Sequence, residues 1–125
     1  MDWMGMFMPR LRPREPAESL SPPIEDDLDR LSELREQGSR LSLPHPVRGY
    51  LAFAGEEAAR TSAEVLRKEG FACSVRAGQD GSWTITAIRQ IVPTPGAITR
   101  FREQLQELAA PHGGAYRGWD APIVS

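Results

Sequence analysis

Apolar and polar residues recur along this chain at two different periods, and the order of these periods predicts the order of helices and strands. Steps of three and four residues between apolar positions predict three helices, over residues 24–37, 55–69 and 97–110. Strict alternation predicts three strands, over residues 47–54, 71–77 and 82–92. A turn with a glycine at each end, Gly78 to Gly81, separates the last two strands, so we expect these strands to form a hairpin.

The last patterned stretch, residues 113–120, places two large aromatic residues among three glycines. Tyr116 and Trp119 each have a ring to bury and a hydroxyl or N–H group that needs a partner. Glycine permits positive φ and a close approach of the backbone to its neighbours. We interpret the stretch as the end of the last helix followed by a short closing strand. Core and edge packing is one explanation of the two rings, and contact with a partner is the other.

The order of elements is a helix followed by β-α-β-β-α-β, which predicts an α+β fold. The specific expectation is a ferredoxin-like (split β-α-β) antiparallel sheet with helices on one face, preceded by an extra N-terminal helix. The other face of the sheet then needs a cover, and we expect the first helix or a partner to supply part of it. Five of the 11 prolines fall within residues 1–23, which predicts a disordered N-terminal tail before a single domain over residues 24–125.

Composition and charge exclude several classes of function. A net charge of −2 is far from the basic balance of a general nucleic-acid-binding protein, so direct nucleic-acid binding is not expected. Cys73 is the only cysteine and the two histidines stand apart, so we expect no metal and no cofactor. No apolar run reaches the ~20 residues of a membrane span. A single cysteine suits a reducing compartment, and we expect a cytoplasmic protein that does not associate with membranes.

Catalytic groupings are not visible in the sequence. There is no glycine-rich phosphate-binding motif, no nucleophile beside a base and no histidine–carboxylate grouping, so we expect a protein that is not an enzyme. Cys73 is expected to be a small buried hydrophobic residue. His45 stands between two prolines and is expected to be an exposed loop residue.

The first predicted helix has one apolar face and one acidic face. The apolar face would carry Ile24, Leu28, Leu31 and Leu34. The acidic face would carry Glu25, Asp26, Asp29, Glu33 and Glu36. Such a face is usually a solvated surface, but neighbouring like charges cost some stability, so a basic partner is the alternative explanation.

The sheet face that the two helices of the β-α-β-β-α-β unit leave open offers a second candidate site. Tyr50, Arg76 and Thr86 are predicted to lie on this face. Aromatic and basic residues on central strands are typical of RNA-binding sheets, and a few convergent polar groups are typical of small-ligand sites. The alternative hypothesis is therefore a small-ligand- or RNA-binding module.

Several of these positions form a frame that resembles the ribonuclease E inhibitor family, the RraB-type regulators of ribonuclease activity. The frame consists of Glu69-Gly70-Phe71, Trp83, Leu108-Ala109, Gly113-Gly114, Tyr116, Gly118-Trp119 and Asp120. The resemblance covers about residues 24–120. The chain departs from the family at one position, because Arg117 stands where the family commonly has an aspartate.

The resemblance implies a ferredoxin-like α+β domain that regulates an RNA-degrading enzyme without cleaving RNA itself. The implied partner is a protein, a ribonuclease of the ribonuclease E type. The residues that we expect to bind it lie on the acidic helix face and in the closing stretch: Asp26, Asp29, Glu33, Glu36, Tyr116, Arg117, Trp119 and Asp120.

Overall fold

A computed structural model describes residues 18–125 of the chain. The helices and strands follow the predicted order: α1 (Glu25–Glu36), β1 (His45–Phe53), α2 (Glu56–Lys68), β2 (Ala72–Ala77), β3 (Trp83–Ile91), α3 (Pro95–Ala109) and β4 (Ala115–Asp120). Two short 3₁₀ helices, Gln79–Gly81 and Ala110–His112, precede β3 and β4. Residues 18–125 therefore combine three α-helices with a four-stranded sheet, and the predicted α+β class is confirmed.

The four strands form one antiparallel sheet in the order β2-β3-β1-β4. The two central strands pair along their whole length, from His45 opposite Ile91 to Phe53 opposite Trp83. The hairpin of β2 and β3 is present as predicted. Because each β-α-β segment places another strand between the two that it connects, the helices cross the sheet on the same side.

The core lies between one face of the sheet and the helices. Burial alternates along β1, where Val47, Leu51 and Phe53 are buried and Arg48, Tyr50 and Ala52 are half-buried. Phe101 and Leu105 of α3 face this layer and are fully buried. The period-two and helical patterns therefore identified the buried faces of β1 and α3 correctly.

α1 lies on the same side of the sheet as α2 and α3. Leu31 and Leu34 are buried in the common core, and the Asp27 side chain contacts both α3 and β4. The expectation that this helix covers part of the opposite sheet face is therefore wrong. α1 lies on the side of the sheet that carries the helices because Asp27, next to the predicted apolar stripe, accepts hydrogen bonds there from Trp119 and Arg102.

The structure also corrects the predicted apolar face of α1, because two of its four residues are exposed. Ile24 and Leu28 are each 41% exposed, whereas Asp27 is only 3% exposed. Ile24 precedes the helix and has an extended backbone, so it does not continue the helical spacing. Leu28 lies at the rim of an open groove of about 270 Å³, together with Leu41 and Pro93.

α3 begins two residues earlier than predicted. Pro95 occupies its first turn, where a missing N–H group costs nothing. The Thr94 hydroxyl accepts a hydrogen bond from the Ala97 backbone N–H at 3.0 Å and caps the helix. Pro95 is thus part of the helix, although the spacing of apolar residues predicted a start at residue 97.

His45 is fully buried at the start of β1, so the expectation of an exposed loop residue is wrong. Its Nδ1 lies 2.7 Å from the Leu43 carbonyl oxygen, which can only accept, so Nδ1 carries the hydrogen. Nε2 then accepts from the Ser39 hydroxyl at 2.6 Å. Ser39 Oγ also accepts from the Val124 backbone N–H at 2.9 Å. The histidine therefore helps to tie the C-terminal segment to the connector before β1.

The predicted tail over residues 1–23 lies mostly outside the described residues. Of its last six residues, Glu18 and Ser19 contact the N-terminal end of α3. The Thr94 hydroxyl donates to Glu18 Oε2 at 2.7 Å, and the Ser19 backbone N–H donates to the Gly96 carbonyl at 3.0 Å. Disorder of residues 1–17 stays a prediction.

Candidate functional site

A β-bulge at Arg117 determines how the closing strand presents its side chains. Tyr50 of β1 is opposite Gly118, and the next residue, Leu51, is opposite Tyr116, so Arg117 is an extra residue in the pairing. Side chains three residues apart on a regular strand point to opposite faces. The bulge places Tyr116 and Trp119 on the same, helical face. Gly118, with φ of +125°, adopts a backbone that a residue with a Cβ rarely tolerates.

Trp119 connects β4 to the first and last helices. Its indole is only 3% exposed, and Nε1 donates to Asp27 Oδ1 at 2.9 Å. The Arg102 guanidinium donates from Nε to the other Asp27 oxygen at 3.3 Å. The Asp27 carboxylate is thus bonded to β4 and to α3. Trp119 is held in the core, so it contributes to an external surface only through its edge.

Tyr116 packs beside this contact, and its hydroxyl oxygen is buried. Within residues 18–125 no hydrogen-bond partner lies within reach of that oxygen. Burial raises the pKa of Tyr116 well above its ordinary value, and the negative charge of Asp27 raises it further. The hydroxyl therefore stays protonated at neutral pH and is available to donate.

An open groove runs between α1, α3 and β4 and has a volume of about 320 Å³. The groove brings together four of the predicted partner-binding residues: Asp26, Tyr116, Arg117 and Trp119. Arg30, Arg102 and Gln106 complete its polar lining. These residues are far apart in the sequence, and the fold assembles them at one place.

The acidic residues of α1 face the solvent beside this groove. Asp26, Asp29, Glu33 and Glu36 are all exposed. α1 contains six acidic residues and two arginines, a net charge of −4 over 12 residues. Asp26, Asp29 and Glu33 line a shallow depression of about 210 Å³ with Arg30. The acidic surface is therefore continuous over the first two turns of the helix, and Glu36 extends it to the end.

Asp120, the last predicted partner-binding residue, points to the opposite face of the sheet. Its carboxylate accepts from Arg48 Nε at 2.6 Å and from the Tyr50 hydroxyl at 2.9 Å. The hydrogen bond to Asp120 is the main cause of a raised pKa of Arg48. Burial, followed by the same carboxylate, raises the pKa of Tyr50. Asp120 therefore belongs with the sheet-face residues.

The sheet-face candidates lie close together as predicted. Tyr50 is directly opposite Thr86 across the β1–β3 pair. Arg76 is opposite Thr84, which lies two residues from Thr86 in β3 and on the same face. Because Asp120 already pairs with Arg48, the positive charge of this face rests largely on Arg76. The surface thus has less net positive charge than its arginines suggest.

The cysteine and the buried histidine among the described residues are not in states that favour catalysis. Burial raises the pKa of the Cys73 thiol, which disfavours a reactive thiolate. His45 is buried and both its ring nitrogens are hydrogen-bonded. Residues 18–125 contain no group of three or more potential metal ligands. None of the helices in this range has the length and apolarity required to cross a membrane.

Comparison with known proteins gives one positive finding. The chain matches the family model described as "regulator of ribonuclease activity B" over residues 24–121, which is most of its length. No curated protein matches the chain significantly. The matched range begins just before α1 and ends just after β4, so it contains the groove and the acidic helix.

Proposed function

Because this chain belongs to the regulator of ribonuclease activity B family, we propose that it is a non-catalytic protein that binds a ribonuclease E-like enzyme and modulates its activity. Family membership confirms the resemblance seen in the sequence and supports a regulator of ribonuclease activity. The partner and the mode of binding are the proposed part.

The exposed acidic face of α1 is the observation that carries the proposed mode of binding. Asp26, Asp29, Glu33 and Glu36 form one negative surface on a helix that is anchored to the core by Asp27. A rigid charged surface steers and orients a partner of opposite charge. We therefore assign to the partner a segment rich in lysine and arginine that lies along α1.

The rim of the closing strand extends this surface. Arg117 is exposed on the bulge, and Tyr116 lines the neighbouring groove. Trp119 supports the groove from the core, whereas Asp120 acts from the other sheet face. In the proposal the first two residues contact the partner, and the other two hold the closing strand in place.

We extend the proposal to the fold family and to the cellular location of the protein. We infer a ferredoxin-like sandwich, supported by the strand order β2-β3-β1-β4 and the helices on one face. A non-catalytic role is supported by the family, by the full burial of His45 and by the raised pKa of the half-buried Cys73 thiol. A cytoplasmic location follows from the proposed ribonuclease partner.

Calorimetry with the ribonuclease E-like enzyme of the same host tests the proposal. We expect binding that weakens as salt increases, because salt screens exposed charges. Asp29→Lys combined with Glu33→Lys should weaken binding at least about tenfold, since juxtaposed like charges oppose association. Glu57→Lys with Glu64→Lys makes the same change of net charge on exposed positions of α2 and serves as the control.

The control variant should bind as the unmodified chain does. Equal losses in the two double variants would show that only the overall charge matters and would refute the assignment to α1. The absence of binding at low salt would refute the partner itself.

A further inference from the structure

The groove between α1, α3 and β4 differs in charge from the acidic surface beside it. Three arginines line it, Arg30, Arg102 and Arg117, one from each of the surrounding elements. Its two acidic residues are Asp26 and Asp27. The formal charge of the lining side chains is therefore +1, next to a helix whose own charge is −4.

The two acidic residues of the groove, Asp26 and Asp27, do not neutralise the charge of its arginines to the same extent. Asp27 is buried, and both its oxygens accept hydrogen bonds, one from Trp119 and one from Arg102 Nε. Its charge is thus committed to the contact that holds the helices to the sheet. Arg30 and Arg117 are exposed at the two sides of the groove, and Asp26 faces them from within it. Asp29 and Glu33 lie beside Arg30 in the neighbouring depression, so Arg117 is the arginine of the groove with the fewest acidic neighbours.

The Tyr116 hydroxyl adds a donor without an acceptor. Its oxygen is buried and has no partner within residues 18–125, although a buried hydroxyl normally finds one. The charges of Asp27, Arg102 and Arg30 all affect its pKa, so the hydroxyl lies among the charged groups of the groove. Because the hydroxyl is protonated at neutral pH, it needs an acceptor, and residues 18–125 do not supply one.

From this geometry we propose that the groove is a binding site for an oxyanion, a phosphate or carboxylate group. Guanidinium groups bind both oxyanions through paired charge-assisted hydrogen bonds, and the tyrosine hydroxyl would complete the set of donors. Arg117 and Arg30 supply the charge from the rim, Gln106 supplies an amide, and Tyr116 donates from the floor. A volume of about 320 Å³ accommodates such a group.

The site shares Tyr116 and Arg117 with the rim that is proposed to contact the ribonuclease, but it differs from the acidic face of α1 in the charge that it attracts. The acidic face of α1 selects a cation, whereas the groove selects an anion. The anion titration uses this chain alone, without a ribonuclease, so its failure would leave the proposed regulatory function untouched.

Titration with inorganic phosphate, followed by NMR at pH 7 and constant ionic strength, tests the site. Trp119 lines the groove, so its indole N–H signal should shift together with the backbone amides of Arg117 and Gly118. The shifts should saturate. A parallel titration with succinate shows whether the site takes a carboxylate, a phosphate or both, and saturation by either probe supports the proposal.

Tyr116→Phe removes only the hydroxyl and keeps the ring in the core. We expect it to weaken binding about tenfold, the usual effect of losing a hydrogen bond to a charged group. Arg117→Gln, at an exposed position, should weaken binding by a similar factor. Arg60→Gln, on the exposed face of α2, is the control and should bind like the unmodified chain.

Linear shifts with both probes would overturn the proposal, because they indicate a general effect of salt. Saturable binding that is equally strong in the Tyr116→Phe, Arg117→Gln and Arg60→Gln variants would also overturn it, because the anion would then bind elsewhere.

Discussion

Replacement of Asp27 by alanine is the mutation that most directly tests how α1 is held to the sheet. The change removes the acceptor of two hydrogen bonds, at 2.9 Å from Trp119 Nε1 and 3.3 Å from Arg102 Nε. Trp119 is 3% exposed, so water does not replace its lost partner. The Arg102 side chain is 14% exposed and loses its counter-charge.

The expected loss follows from these two contacts. A buried donor left without a partner costs about 1–3 kcal/mol, and removal of one member of a buried ion pair costs about 3–5 kcal/mol. The two costs overlap because the same carboxylate is removed. Since Arg102 keeps some access to solvent, we expect a decrease of about 3–4 kcal/mol in the free energy of unfolding. For a domain of this size, that decrease lowers the melting temperature by about 10–15 °C.

Urea denaturation followed by circular dichroism measures this loss, and Asp26→Ala is the matched control. Asp26 is the preceding residue in the same first turn of α1, but its side chain is exposed. It shares the favourable interaction with the helix dipole, which is worth about 0.3–1 kcal/mol. If Asp27→Ala and Asp26→Ala differ by less than about 1 kcal/mol, the buried carboxylate does not hold the helix, and the reasoning is refuted.

Two further predictions concern the core and the tyrosines. Gly49→Ala places a Cβ against the Leu105 side chain and should lower the free energy of unfolding in urea by about 1–3 kcal/mol. Gly55→Ala, where no heavy atom lies within 4 Å of the added Cβ, is the control. An equal loss of stability in the two variants would contradict the close packing at Gly49. Burial raises the pKa of Tyr50 and of Tyr116, so stability is full below the ordinary tyrosine value of about 10 and falls as the pH rises above it. Tyrosinate absorbance should therefore appear at a higher pH in the folded protein than in the protein unfolded in urea, and ionisation of both tyrosines near pH 10 in the folded protein would contradict this.

The sequence predicted the order of elements because one-sided burial leaves a periodic pattern. Val47, Leu51 and Phe53 alternate with half-buried residues in β1, and the structure buries the predicted face. The glycine-rich end correctly indicated a closing strand with its rings packed inward. The exposed acids of α1 could also be predicted, since all five share the predicted acidic face of the helix.

Other features depend on contacts that no local pattern records. Asp27 is buried because the indole N–H of Trp119, 92 residues away in the sequence, donates a hydrogen bond to its carboxylate. His45 is buried because Ser39 and the Leu43 carbonyl satisfy its ring nitrogens. Isolated polar residues of this kind are exposed more often than not, so no local pattern predicts that these two are buried.

The bulge explains why the candidate site was only partly predicted. A single extra residue, Arg117, places Tyr116 and Trp119 on the helical side and leaves Asp120 on the opposite face. The sequence grouped these residues because they are neighbours along the chain. The structure instead joins Asp120 to Tyr50, a residue of the alternative site.

The rate of RNA cleavage by the host's ribonuclease E-like enzyme tests the central claim most directly. Increasing amounts of the chain should change this rate until the effect saturates, whereas the chain alone should leave the RNA intact. The double variant Asp29→Lys and Glu33→Lys should lose most of the effect, and the Glu57→Lys and Glu64→Lys control should retain it. A cleavage rate that does not respond to the chain, or cleavage of RNA by the chain alone, would contradict the account.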